Sequence, residues 1–206
     1  MIFYSLVENA KKTIEADIAH QEIMDHSPFD RDIAPIHPLD VIVDAWNLTT
    51  IQEVVGSSTI CVATLDRKLG QLAYSNVGDC GLMVIRHIDS GTAGYMRERQ
   101  LPRHLRKNDL RIAYLSQQQL RSFNLPYQLG FSNIPGTPNS FESPHDADTA
   151  SIPIMVGDII ILATDGLFDN LDLDEIVEEV SNWEINSDQK NTENIQSLAE
   201  QLGLYV

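Results

Sequence analysis

Residues Gly157–Asn170 read GDIIILATDGLFDN. Gly157-Asp158 is a turn signal. IIILAT, residues 159–164, is an apolar run of strand length without alternation, which predicts a strand buried on both faces. Asp165 stands at the C-terminal end of that strand, followed by Gly166. Asp169 comes four residues later, in the turn into the next helix. That helix is expected to start near Asp172, with Glu175 three residues on completing a capping-box pattern and Ile176, Val177 and Val180 forming its inner face. A carboxylate is seldom set at the end of so apolar a strand without a partner.

Upstream, residues 57–66, which carry STICVATLD, predict a strand. QLAYSNV (71–77) and LMVIRHI (82–88) predict two more. Arg67–Gly70 is a turn and Gly78–Gly81 a tight connection, so the three strands read as an antiparallel meander. Asp79 lies in the second connection. Phe3, Val7, Ala10, Ile14 and Ile18 recur at steps of three and four. They give one apolar stripe on a helix over residues 3–20, the face expected to meet a core. Residues 20–38 form a loop broken by Pro28, Pro35 and Pro38. Pro38 opens a second helix, with Leu39, Ile42, Val43, Trp46 and Ile51 on its buried face. Residues 116–150 are polar and rich in Pro and Gly around NLPYQLGF. SIPIMV then leads into the turn at Gly157. A polar loop, 183–192, precedes a last helix, ENIQSLAEQLGLY. Helices, then strands, then helices predict an α+β arrangement in a single domain over residues 1–206.

Composition narrows the chemistry. The 206 residues suffice for one domain with a real core, and the apolar fraction of 43% is ordinary for a globular protein. The net charge of −16 argues against nucleic acid, which is bound through phosphate-neutralising Lys and Arg. An acidic chain suits a cation ligand, and equally suits plain solubility. Two cysteines, Cys61 and Cys80, are too few for a secreted disulfide framework and fall in apolar runs as buried free thiols, which points to a reducing compartment. MIFYSLVENA has neither the features of a signal peptide nor those of an Arg-rich transit peptide, and no apolar run reaches the ~18 residues of a transmembrane segment. The chain therefore reads as soluble and untargeted. Six of the 14 basic residues crowd between Arg97 and Arg111: Arg97, Arg99, Arg103, Arg106, Lys107 and Arg111. They form either a solvated hairpin or a docking surface for an acidic partner, an anionic membrane or a phosphosubstrate.

Asp165, Asp169 and Asp79 are short-stemmed carboxylates at backbone turns. Hard cations such as Mg2+ and Mn2+ take carboxylate and water oxygens. Carboxylates converging without a cation repel, and one must take up a proton. Singly, an aspartate in a turn or at a helix start commonly serves only local structure. Other chemistries fail on spacing. Leu167 and Ile176 break an EF-hand loop begun at Asp165 or Asp172, and Ala163 stands where an aspartyl-phosphate hydrolase has its first carboxylate. The six histidines form no zinc-like set, and neither a nucleophile elbow nor a Walker-type phosphate loop occurs.

GDIIILATDGLFDNL closely resembles the GD-x-(apolar)-A-TDG-(apolar)-(F/W)-D-N motif of the metal-dependent type 2C (PPM) protein phosphatases. GSSTICVATLD and SNVGDCGLMVIR resemble the two strands and acidic turn that precede it, in matching order and spacing. SQQQLRSFNLPYQLG and SPHDADT are similar to the mitochondrial branch of that family, linked to coenzyme Q biosynthesis. The resemblance covers roughly residues 5–203. It implies a central antiparallel β-sandwich flanked by helices and a binuclear Mg2+ or Mn2+ centre. It also implies that metal-activated water hydrolyses phosphoserine or phosphothreonine in protein substrates without a phosphoenzyme. By resemblance, Asp165 is the ligand shared by the catalytic metals and a weaker third metal, and Asp79 and Asp169 match the other ligands of that third metal. Cys80 stands where many relatives have serine. A mitochondrial matrix location is implied on the same footing. The upstream D-G-x-G-G motif and the downstream D-N or P-D-D motif are absent. The expectation is therefore a phosphatase domain incomplete at both ends, or else a non-catalytic relative that binds phosphoproteins or regulates a partner. The stretch over 89–115 is also longer than the family's usual hairpin.

Overall fold

The computed structural model describes residues 2–24, 35–87, 110–133, 140–186 and 192–204. Its elements divide between two compact units. The first comprises residues 1–80 and 117–155 and opens with two helices, α1 (Ile2–Met24) and α2 (Pro38–Ile51). Pro38 begins α2 as expected, and the ring of His37, the cap residue, accepts the Leu39 N–H at 3.2 Å. The helices pack on each other, and their contact includes a buried polar bond. Asn9 Nδ2 donates to Thr49 Oγ1 at 3.0 Å, and the Thr49 hydroxyl donates back to Ala45 O at 2.7 Å.

That contact corrects the expected core face of α1. Ile2, Leu6 and Asn9 are buried, whereas Phe3, Val7, Ile14 and Ile18 are exposed. Two stripes at helical spacing run side by side on α1, and the one with a buried Asn turns inward because Thr49 meets it. On α2 the buried residues are Pro38, Val41, Ile42, Ala45 and Thr49. Ile51, expected inside, is exposed.

The strand expected over 57–66 divides at Thr59. β1 (Gly56–Ser58) is followed by β2 (Ile60–Asp66), and β3 (Gln71–Val77) returns as its hairpin partner. The Asp66 carboxylate accepts from Lys68 N and Leu69 N, both at 2.9 Å, and closes the expected 67–70 turn. β4 (Gly81–His87) then joins a different sheet, so the meander ends after two strands. β5 (Leu110–Leu115) follows β4. The first unit resumes with three short strands, β6 (Leu120–Ser122), β7 (Leu125–Pro126) and β8 (Leu129–Phe131). β9 (Asp148–Pro153) completes the sheet β2-β3-β9, while β8 pairs with β1 and β6 with β7. All these ladders are antiparallel. α2 packs on β2 and β3, where Ile42, Val77 and Leu129 form the buried centre.

The second unit comprises residues 81–116 and 156–206. Its sheet has the order β10-β4-β5, with β10 at Ile159–Ala163 and every pair antiparallel. β10 pairs only with β4 among the described residues, and Leu162 is exposed. Among the described residues the strand is therefore an edge, and the exposed Leu162 shows that it is not buried on both faces. One-turn helix α3 (Asp165–Phe168) leads to α4 (Leu173–Asn186) and then α5 (Thr192–Gly203). Glu175 accepts the Asp172 N–H at 2.9 Å, which supplies one half of the expected capping box. Met83, Ile85, Ile161, Leu167, Ile176, Val180, Trp183, Leu198 and Leu202 form this unit's core. In the same unit Arg86 grips Asp158 through two bonds, Nε at 2.8 Å and Nη2 at 2.6 Å. The Asp158 carboxylate holds the Arg86 guanidinium above its ordinary pKa.

The molecule thus has the expected α+β character, mixed helix and antiparallel sheet. Among the described residues no helix is long and apolar enough to cross a membrane. The basic run from Arg97 to Lys107 lies outside the described residues, and Arg111 is an exposed residue of β5.

Candidate functional site

Asp165 and Asp169 bracket α3. The chain leaves β10 at Ala163 and turns at Thr164. The Asp165 carboxylate then accepts its neighbour's N–H, Gly166, at 2.8 Å, while Asp169 N donates to Asp165 O at 2.7 Å. Asn170 Nδ2 donates to Gly166 O at 2.6 Å and ties off the same turn. Leu167 is buried beneath it, and the ring of Phe168 lies where a Cβ on Gly81 would stand, so this turn is seated on the start of β4. Asp165 is half-buried and Asp169 exposed, on a backbone whose position is fixed by packing.

Asp79 belongs to the first unit and is itself buried. It sits between Gly78, at φ +112°, and Cys80. A Cβ on Gly78 would meet the Thr59 side chain and would stand 2.7 Å from Tyr127 O, so only glycine fits. Asn76, fully buried, donates through Nδ2 to both Gly78 O and Cys80 O at 3.0 Å. Gln118 Nε2 donates to Asp79 O at 3.2 Å, and Gln119 Oε1 accepts the Gly78 N–H at 3.2 Å. Thr59 Oγ1 lies 3.4 Å from Cys80 Sγ. Of the two cysteines expected to be buried, Cys80 is buried and Cys61 only half-buried. Burial first, then the neighbouring Cys80 and Asp148, push the Cys61 thiol up to about 12, which marks it as unreactive. The sequence reading singled out all three aspartates but not Asn76, Gln118 or Gln119. For the two glutamines the one signal was the run inside SQQQLRSFNLPYQLG, and for Asn76 only its place three residues before Asp79.

No protein-family model matches the chain. It is 31% identical over 150 residues to "Protein phosphatase PTC7 homolog fig" of Drosophila willistoni, covering 71% of this chain and 41% of that protein. It is 29% identical over 171 residues to "Protein phosphatase PTC7 homolog" of Danio rerio, covering 81% of this chain and 50% of that protein. The X-ray structure of the photosystem II phosphatase PBCP superposes with a TM-score of 0.62 at 26% identity, over 97% of this chain and 58% of that one. The chain belongs to the metal-dependent, type 2C (PPM) protein phosphatase family. It spans about half the length of the curated relatives it matches.

That family implies a divalent metal. The donor chemistry of Asp165, Asp169 and Asp79 suits a hard cation, since every donor is an oxygen. Among the described residues, however, no group of three or more His, Cys, Asp or Glu side chains could hold an ion. The residues fit an ion bound by one or two carboxylates and completed by water. They do not fit a two-ion centre.

Proposed function

We propose that this chain is part of a metal-dependent protein serine/threonine phosphatase, one partial domain over residues 1–206. The activity would reside in a polypeptide that also carries the remaining half of the relatives' length. The observation that carries this reading is the turn after β10, which presents Asp165 and Asp169 on a backbone tied by three hydrogen bonds and seated against Gly81. Asp165, Asp79 and Asp169 would be oxygen ligands for Mg2+ or Mn2+. A divalent ion held by carboxylates would supply an ionised water and would neutralise phosphoryl oxygens. Phosphoserine and phosphothreonine proteins are the substrates of this reading, with the basic segment from Arg97 to Arg111 offering a docking surface. A mitochondrial matrix location belongs to the same reading.

The lack, among the described residues, of a group of three or more metal-holding side chains favours a second reading for the 206-residue chain taken alone, that of a non-catalytic binding or regulatory module. Phosphate monoesters are among the slowest substrates to hydrolyse unaided, with accelerations of up to ~10²¹-fold known. One retained turn cannot supply that. Mn2+-dependent release of phosphate from a phosphopeptide tests both. The 206-residue chain is expected to show none, whereas a form extended by its flanking coding sequence turns over and loses activity in Asp165→Asn. Robust turnover by the short chain, lost in Asp165→Asn, rejects the second reading. An inert extended form rejects the first.

A further inference from the structure

We propose that Gln118 and Gln119, together with Asn76, are positioning residues for the Asp79 carboxylate. The inference rests on the reading of Asp79 as a metal ligand. An aspartate has two side-chain torsions, so its carboxylate goes where its backbone puts it, and a ligand must be held to within about 0.5 Å. The Gly78–Cys80 backbone lies outside the strands that flank it, so its polar groups need partners from elsewhere. Side chains supply them. Asn76 bridges the two carbonyls on either side of Asp79, Gln118 takes the carbonyl of Asp79 itself, and Gln119 takes the N–H of Gly78. Gln119 also grips with its own backbone, donating from N to Gly78 O at 2.8 Å, and it anchors outward through Nε2 to Asp146 O at 2.8 Å. The acidic turn is thereby clamped to the segment after β5 and to the Pro144–Asp146 turn, both distant in sequence.

Asn76 shows what this arrangement gives up. Its Oδ1 is buried and has no hydrogen-bond partner among the described residues. A desolvated acceptor is unfavourable, and an apolar residue of similar size would remove that penalty. It would also remove both donors from the Asp79 turn. A group that violates polar satisfaction while fixing one turn is the pattern expected where position matters more than stability.

Mn2+ titration of the isotopically labelled 206-residue chain, read by paramagnetic broadening of the Asp79 amide, tests the proposal. The unfolding midpoint without metal is measured for every variant. Wild type is expected to broaden, and Asp79→Asn is not. In Gln118→Ala and Gln119→Ala the Mn2+ concentration for half-broadening rises about 10- to 100-fold while the metal-free midpoint holds. If wild type responds and both glutamine variants respond equally, positioning is refuted and the ligand reading stands. If the affinity loss merely tracks a lower metal-free midpoint, the glutamines are structural and the proposal falls. A wild type that does not respond at Asp79, or an Asp79→Asn that responds equally, removes the ligand reading and this inference with it.

Discussion

At Gly78 two constraints coincide, and a second glycine separates them. Gly78 has φ +112° and no room for a Cβ, whereas Gly157 has φ +98° with open space around it. Gly157→Ala therefore carries backbone strain alone, about 1–3 kcal/mol. Gly78→Ala adds a clash with Thr59 and Tyr127 O, and is expected to exceed it clearly in urea unfolding. Equal losses would mean that the Thr59–Tyr127 wall yields freely. Cys61 gives a pH prediction. Its thiol rises from an ordinary value of 9.0 to about 12 in the folded protein, so between those values the unfolded chain holds fewer protons than the folded one. The contribution is complete below about pH 9 and is lost as pH climbs toward 12, at up to about 1.4 kcal/mol per pH unit. Comparing Cys61→Ala with wild type isolates that slope, and parallel curves would refute it. The aspartates were legible in the sequence because glycine and apolar strand mark them locally. Asn76, Gln118 and Gln119 were not, because two of the three act across some 40 residues of chain.

Helix α1 shows how a correct element can carry a wrong face. Its helical period was plain, yet Phe3, Val7, Ile14 and Ile18 on one side compete with Ile2, Leu6 and Asn9 on the other. Hydrophobic count favours the first set. The structure chooses the second, since Thr49 of α2 offers Asn9 a buried partner and Gln52 offers one to Ser5 at 2.6 Å. Leu6→Ala should therefore cost about 2–5 kcal/mol. Val7→Ala should stay within about 0.5 kcal/mol. Denaturant midpoints of the two variants decide it, and the reverse order would restore the Phe3 stripe as the core face. β9 was hidden for a related reason. DTASIP alternates half-buried and exposed positions, with small polar residues on a strand that β3 completes, so nothing apolar announces it. β10 erred the other way. An unbroken apolar run fixes strand length but not whether both edges are paired.

For the whole molecule, charge dominates. Thirty acidic residues against 14 basic ones leave −16, and that excess repels itself in the compact state. Screening lengths fall from about 30 Å at 0.01 M salt to about 8 Å at 0.15 M. The melting midpoint is therefore expected to rise by a few degrees over that range of NaCl. Such a rise says nothing about a site, because any salt produces it. A divalent ion at matched ionic strength does discriminate, since an ion that binds only the folded chain adds RT ln(1 + [L]/Kd), about 2.7 kcal/mol at 100 times Kd. Mn2+ should raise the midpoint beyond the NaCl control in wild type. The increment should shrink in Asp165→Asn, while the NaCl response remains, because one charge in a net of −16 barely alters the general repulsion. An Mn2+ increment unchanged in Asp165→Asn would show that the ion reads the acidic surface as a whole, and would take Asp165 out of the ligand set.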